Sequence, residues 1–210
     1  MNKQNSVRID LELIHPYLKF KLNKLLQKCN EQGIYLIITE GYRTKEYQDE
    51  LYARGRTKAG TIVTNARGCD YQSQHQWGVA FDIAINEKGN EYNMAYIRKV
   101  ATIAKAKPIK LGWGGDWSDF QDNPHFYLTK WGTTPRLLKL LYRNFDKFKT
   151  TWYRKVNKTE GLYIWDKSHK NKIKKLPYQT QVKVLWRHLR WSRIEYDGTV
   201  GYMRSKFLKK

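Results

Sequence analysis

Between Trp77 and Ile85 the sequence alternates, with Val79, Phe81, Ile83 and Ile85 on one side of an extended chain and Ala80, Asp82 and Ala84 on the other. That spacing predicts a strand whose bulky side lies on a core, while Asp82 projects from a face of small residues. The remaining chain must therefore be built around a carboxylate held on rigid backbone.

Neighbouring segments supply that surrounding structure. Leu18, Leu22, Leu25, Leu26 and Cys29 recur at steps of three and four, predicting an amphipathic helix from His15 to Glu31 that Gly33 ends. The run Ile34 to Ile38 reads as a short buried strand leaving through Gly41, and Thr44 is placed to cap a helix reaching Arg54. Met94, Ile97, Val100, Ala101 and Ala104 fit a further helix stopped near Pro108, and Leu137, Leu138, Leu141 and Phe145 fit one more. A loop rich in Gly, Trp and Asp lies between the two. After about Lys149 the pattern becomes short β-rich pieces separated by turns and charges, which predicts a small β-barrel.

At 210 residues the chain exceeds one average domain. The expected division is a catalytic domain over 1–148, a linker over 149–152 and a small domain over 153–210. Residues 1–149 carry 24 Lys and Arg against 15 Asp and Glu, and residues 150–210 carry 16 against 4, or +12 on the shorter segment. Such a field concentrates polyanions, whether nucleic acid, an anionic membrane surface or an anionic wall polymer. Cys29 and Cys69 are the only cysteines, which argues against a disulfide scaffold or a thiolate zinc cluster; Cys69 is expected to be a small buried hydrophobe. No leader, no stable membrane insertion and a monomer are expected.

The densest chemistry lies in Ser73 to Asp82, SerGlnHisGlnTrpGlyValAlaPheAsp, which contains S-x-H-x-x-G-x-A-x-D. Further on, AspAsnProHisPhe places Asp122 three positions before His125 in a loop stiffened by Pro124. Two histidines and a carboxylate suit a hydrolytic zinc ion, which takes three protein ligands and leaves a fourth position for water. His75, Asp82 and His125 would fill that set. Asp122 then remains as the base, since a ligand carboxylate has its lone pairs committed to the metal.

GlyTyrArgThr at 41–44, the Ser73 to Asp82 pattern and AspAsnProHis at 122–125 together resemble the VanY-type zinc D,D-carboxypeptidase and L-alanyl-D-glutamate endopeptidase superfamily. GluTyrGlnAspGluLeuTyrAlaArgGlyArgThr and TrpGlyGlyAspTrp at 113–117 look most like the phage endolysin endopeptidases. The resemblance spans roughly residues 9–145. It implies an α+β fold, a small antiparallel sheet with flanking helices. It also implies Zn2+ on His75, Asp82 and His125, with Asp122 as general acid and base. Arg43 matches an arginine thought to polarise the scissile carbonyl, and Ser73 a position that contacts substrate or supports the ligand loop. Trp113 and Trp117 are candidates to line the groove, and Gly114 and Gly115 to let backbone approach closely. Residues from about 153 resemble a bacterial SH3-like wall-binding domain, notably in GluGlyLeuTyrIleTrp, ValLysValLeuTrp and AspGlyThrValGlyTyrMetArgSerLysPheLeu.

The expected protein is an endolysin that hydrolyses the L-Ala to D-Glu bond of peptidoglycan stem peptides. It would accumulate in the host cytoplasm and act on the wall after a holin opens the membrane. A D-alanyl-D-alanine carboxypeptidase is the nearest alternative. A basic nucleic-acid-binding protein with an incidental metal site is a more distant one, and no specific nucleic acid is expected as a partner.

Overall fold

The computed structural model of the chain describes residues 8–129 and 134–210. These fall into two compact units, Met1–Phe145 and Asp146–Lys210.

In the first unit, helix α1 (Pro16–Asn30) begins where the His15 ring accepts a hydrogen bond from the Tyr17 amide and proline occupies the first turn. Leu18, Leu22, Leu25 and Cys29 are fully buried, as their spacing predicts, each leucine contributing about 1.5–3 kcal/mol of burial. Helix α2 (Lys45–Ala53) is capped by the Thr44 hydroxyl, which accepts from the Tyr47 amide. Helix α3 (Met94–Lys105) buries Ile97, Val100, Ala101 and Ala104 and packs on α1.

Four antiparallel strands, β1 (Leu36–Glu40), β2 (Ala80–Ile85), β3 (Leu111–Trp113) and β4 (His125–Leu128), form one sheet in the order β1-β2-β4-β3. Strand β1 is an edge, so the buried strand expected there is half solvated, with Ile37 and the preceding Tyr35 exposed. Strand β2 runs through the middle. Phe81 and Phe126 pair across β2 and β4 with ring centroids 5.9 Å apart, both buried, and anchor the apolar side of the sheet. The single helix expected near residue 140 is two, α4 (Pro135–Tyr142) and α5 (Phe145–Lys149). Arg143 at φ +68° breaks the run, and Leu137 and Leu141 stay exposed while Leu138 is buried.

The second unit contains seven strands, β5 (Tyr153–Val156), β6 (Leu162–Trp165), β7 (Lys172–Leu176), β8 (Gln181–His188), β9 (Trp191–Tyr196), β10 (Thr199–Arg204) and β11 (Leu208–Lys209). They form one antiparallel sheet in the order β11-β5-β8-β9-β10-β6-β7. Val156, Leu162, Leu176, Val182, Ile194, Met203 and Leu208 come from all seven strands yet share one core. The sheet therefore bends round that core. The small β-barrel expected here is not found in closed form, since no ladder joins β7 to β11 among the described residues. No helix among the described residues is long and apolar enough to cross a membrane.

Candidate metal centre

The site grows out of strand register. Glu40 lies opposite Asp82 across β1 and β2, and Asp82 lies opposite His125 across β2 and β4. Directly opposed residues share a face, so these three polar groups stand in a row on the side away from Phe81 and Phe126. His75 joins them from a 3-10 turn, Gln74–Trp77, which the Ser73 hydroxyl caps by accepting from the His75 amide. The Gln76 side chain closes the same turn by accepting from the Ser73 amide. Gly78 ends it at φ +60°, where an added Cβ would lie 2.4 Å from the Leu13 carbonyl oxygen. That explains the glycine of the motif.

His75 Nε2 lies 3.0 Å from His125 Nδ1 and 3.2 Å from Asp82 Oδ1, and His125 Nδ1 lies 3.0 Å from the same oxygen. The opposite ring nitrogens are engaged elsewhere. His75 Nδ1 sits 3.0 Å from the Gly41 carbonyl oxygen, and His125 Nε2 sits 2.8 Å from Gln74 Oε1. Both partners are acceptors, so each imidazole donates outward. In the neutral rings that leaves two bare nitrogen lone pairs and a carboxylate facing one point. Three acceptors crowded in this way repel one another unless a cation lies between them. Two nitrogens and one oxygen disfavour calcium or magnesium and suit Zn2+, whose tetrahedral ligand edges are about 3.3 Å. The donor set thus fits zinc, and Zn2+ is the cofactor the site is built to take.

The two aspartates are driven apart. When the facing ring nitrogens carry protons instead, burial still pushes Asp82 up, but the charge of His75 and hydrogen bonds from His125 and His75 outweigh it and hold the carboxyl well below its ordinary range. Burial also pushes Asp122 up, and there the charge of Asp82 adds to it, so Asp122 is raised. Asp122 Oδ2 is 4.0 Å from His125 Nδ1, beside the ligand triangle without being part of it.

Its loop is fixed at several points. The Asp122 amide donates to the Gly114 carbonyl at 3.1 Å, the Ile83 amide to the Pro124 carbonyl at 3.1 Å, and Trp113 Nε1 to the Asn123 carbonyl at 2.7 Å. A Cβ on Gly114 would lie 2.4 Å from the Asp122 carbonyl oxygen and 3.0 Å from His125 Cβ. Trp113 is buried and holds the loop from the core. Trp117 is half-buried, 5.1 Å from the His125 ring by centroids, and its Nε1 donates to the Tyr127 hydroxyl at 3.2 Å. Gly115 also has close quarters, since a Cβ there would meet the Trp113 ring.

Arg43 is half-buried beside the site, its Nε donating to Glu40 and its Nη1 to Gln48 Oε1 at 2.8 Å. Burial disfavours its charge, but Glu40 more than compensates, with Asp82 adding to the effect. Glu40 also accepts from Arg8 at 2.9 Å, and Gln48 donates onward to the Ala66 carbonyl at 2.8 Å. Cys69 is exposed, contrary to expectation, because Asp49 accepts from the amides of Gly68 and Cys69 and turns that loop outward. Sequence reasoning missed Gln74, Gly41, Glu40 and Gln48. The one available signal was the rule that a ligating imidazole needs an acceptor for its second N–H.

Residues 11–113 match the family model VanY, described as D-alanyl-D-alanine carboxypeptidase. A Bacillus subtilis protein named peptidoglycan L-alanyl-D-glutamate endopeptidase CwlK is 40% identical over 123 residues, covering 53% of this chain and 71% of that protein. An L-alanyl-D-glutamate peptidase of Listeria phage A118 is 34% identical over 110 residues, 51% of this chain and 35% of that protein. Among solved structures, a vancomycin-resistance D,D-pentapeptidase VanY mutant in complex with Zn(II) is 20% identical, with a TM-score of 0.42 over 56% of this chain and 73% of that chain.

Proposed function

From the premise that this chain belongs to the VanY peptidase family, we propose that it is a zinc-dependent endopeptidase cutting the L-Ala to D-Glu bond of peptidoglycan stem peptides. The observation that carries the chemistry is the convergence of His75, Asp82 and His125 with Asp122 set just outside them. The names of the bacterial and phage relatives support the choice of bond.

Zinc, when bound, supplies Lewis acidity that lets water act as a nucleophile near neutral pH. The remaining roles fall to side chains of this protein. Asp122, its pKa raised above the ordinary aspartate value by burial and the charge of Asp82, takes a proton from the attacking water at its carboxylate and returns it to the leaving amine. Arg43, anchored by Glu40 and Gln48, offers fixed positive charge to the carbonyl oxygen as charge develops there. Ser73 supports the ligand turn, and Trp117 forms a wall beside His125 that a stem peptide can pack against.

The phage relative supports an endolysin role, in which the protein gathers in the host cytoplasm and meets the wall once the membrane is opened. The C-terminal unit is read as an SH3-like wall-binding module, supported by its small all-β build and its excess of 16 Lys and Arg over 4 Asp and Glu across residues 150–210. Tethering it to the peptidase raises the effective concentration of substrate.

The family description favours one second reading, a D-alanyl-D-alanine carboxypeptidase. Mass spectrometry of digested muropeptides separates the two. New L-Ala carboxyl and D-Glu amino termini are expected, and release of free D-Ala without them overturns the endopeptidase assignment.

A further inference from the structure

The inner face of the C-terminal sheet is spent on the core, but the outer face carries a second organised layer. Register places Trp165 of β6 opposite Tyr202 of β10, Tyr202 opposite Arg193 of β9, and Arg193 opposite Trp186 of β8. Opposed residues share a face, so ring, ring, guanidinium and ring run in one row across four strands. All four are half-buried.

Cations are seated on this layer. The Arg204 guanidinium lies 4.3 Å from the centroid of Trp191, and Lys172 Nζ lies 4.5 Å from that of Tyr163 and 5.7 Å from that of Trp165. Lys172 and Arg204 are exposed, and neither makes an ion pair among the described residues. A ring fixes the position of a cation without neutralising it, so these charges are held in place and remain available. The nearby carboxylate, Asp166, is turned into its own loop, where it accepts from Ser168 Oγ and Asn171 Nδ2, both at 2.7 Å.

We propose that this outer face, with Lys172 and Arg204 as its ring-seated cations, docks a phosphodiester-linked polyol polymer of the bacterial wall. The proposal rests on the wall-directed reading above and adds the surface and the ligand chemistry. A regular polyanion matches a segment with 16 Lys and Arg against 4 Asp and Glu better than the sparse carboxylates of stem peptides do. Polyol units between the phosphates can lie against the intervening rings.

The test uses the full chain and brief co-sedimentation on ice with purified Gram-positive walls. One batch is left intact, and one is treated with hydrofluoric acid, which removes the phosphodiester polymer and spares the amide bonds. Lys172→Gln with Arg204→Gln is compared with Lys155→Gln plus Lys209→Gln, an equal charge change on the exposed β5 and β11 pair. On intact walls at about 0.1 M salt the first double variant is expected to bind about tenfold more weakly, with the log–log salt slope falling by about 1 to 2. The second is expected to bind as the parent does, and the parent to bind treated walls weakly. Equal losses in both double variants, undiminished parent binding to treated walls, or preference for a single-stranded oligonucleotide at equal phosphate concentration would each overturn the proposal. Cleavage of a short soluble stem peptide is measured alongside. Failure there strikes the peptidase reading alone and leaves the docking result to stand by itself.

Discussion

Asp82 and His125 face each other across two adjacent antiparallel strands, and Oδ1 of the first lies 3.0 Å from Nδ1 of the second. Two ligands on paired strands inherit the precision of the ladder. A slip of one residue in either strand would turn that strand's ligand into the core and bring its phenylalanine to the surface, so the register of the hydrophobic core also sets the metal geometry.

The far nitrogen of His125 meets Gln74 Oε1 at 2.8 Å. Gln74→Leu is expected to weaken zinc binding about 10- to 100-fold, read by competition with a chelating dye, while activity at saturating zinc changes much less. Unchanged affinity would remove Gln74 from the support of this ligand.

Asp122→Ala is expected to keep its zinc and lose at least about a hundredfold in the rate of wall cleavage, since it removes a proton-transfer group and no ligand. Metal content by elemental analysis and muropeptide products by mass spectrometry are measured on the same sample. Cleavage at the parental rate would take Asp122 out of the mechanism.

Gly114→Ala forces a methyl group to within 2.4 Å of the Asp122 carbonyl oxygen. Backbone must move to accommodate it, which is expected to cost about 1–3 kcal/mol in stability by denaturant unfolding and to impair cleavage more than the stability loss alone explains. A variant as active and as stable as the parent would show that the approach of the two loops is loose.

His15 is buried, and burial lowers its pKa from 6.5 to about 3. Its neutral form is therefore favoured in the folded chain. The resulting stability is complete above pH 6.5 and is lost as pH falls from there toward 3, by an amount on the order of a few kcal/mol. His15→Asn retains a capping side chain without that titration, so its unfolding midpoint is expected to fall less steeply over this window. Parallel pH profiles for the two proteins would contradict the assignment.

Where periodicity was strong, the sequence was readable. The burial of Leu18, Leu22 and Leu25 and the course of β2 follow directly from spacing, because one face of each element has to meet a core. The metal donors were readable for a different reason, as few chemistries use two imidazoles and an aspartate at such positions. The partners that orient those donors were not. A glutamine one place before a ligand, or a carbonyl at Gly41, has no pattern of its own and becomes visible only when chain segments 34 and 51 residues apart are brought together. Edge position was equally hidden. The run around Ile37 reads as apolar from either side, and only the order of the strands shows that one side meets water.

The two ligand rings are steadied by unlike means, His75 by a main-chain oxygen and His125 by an amide side chain. Every residue type carries a main-chain oxygen, so substitution at position 41 cannot delete the first support, whereas a single codon change can delete the second. Mutational drift can thus loosen this protein's grip on its ion at position 74 without touching a ligand.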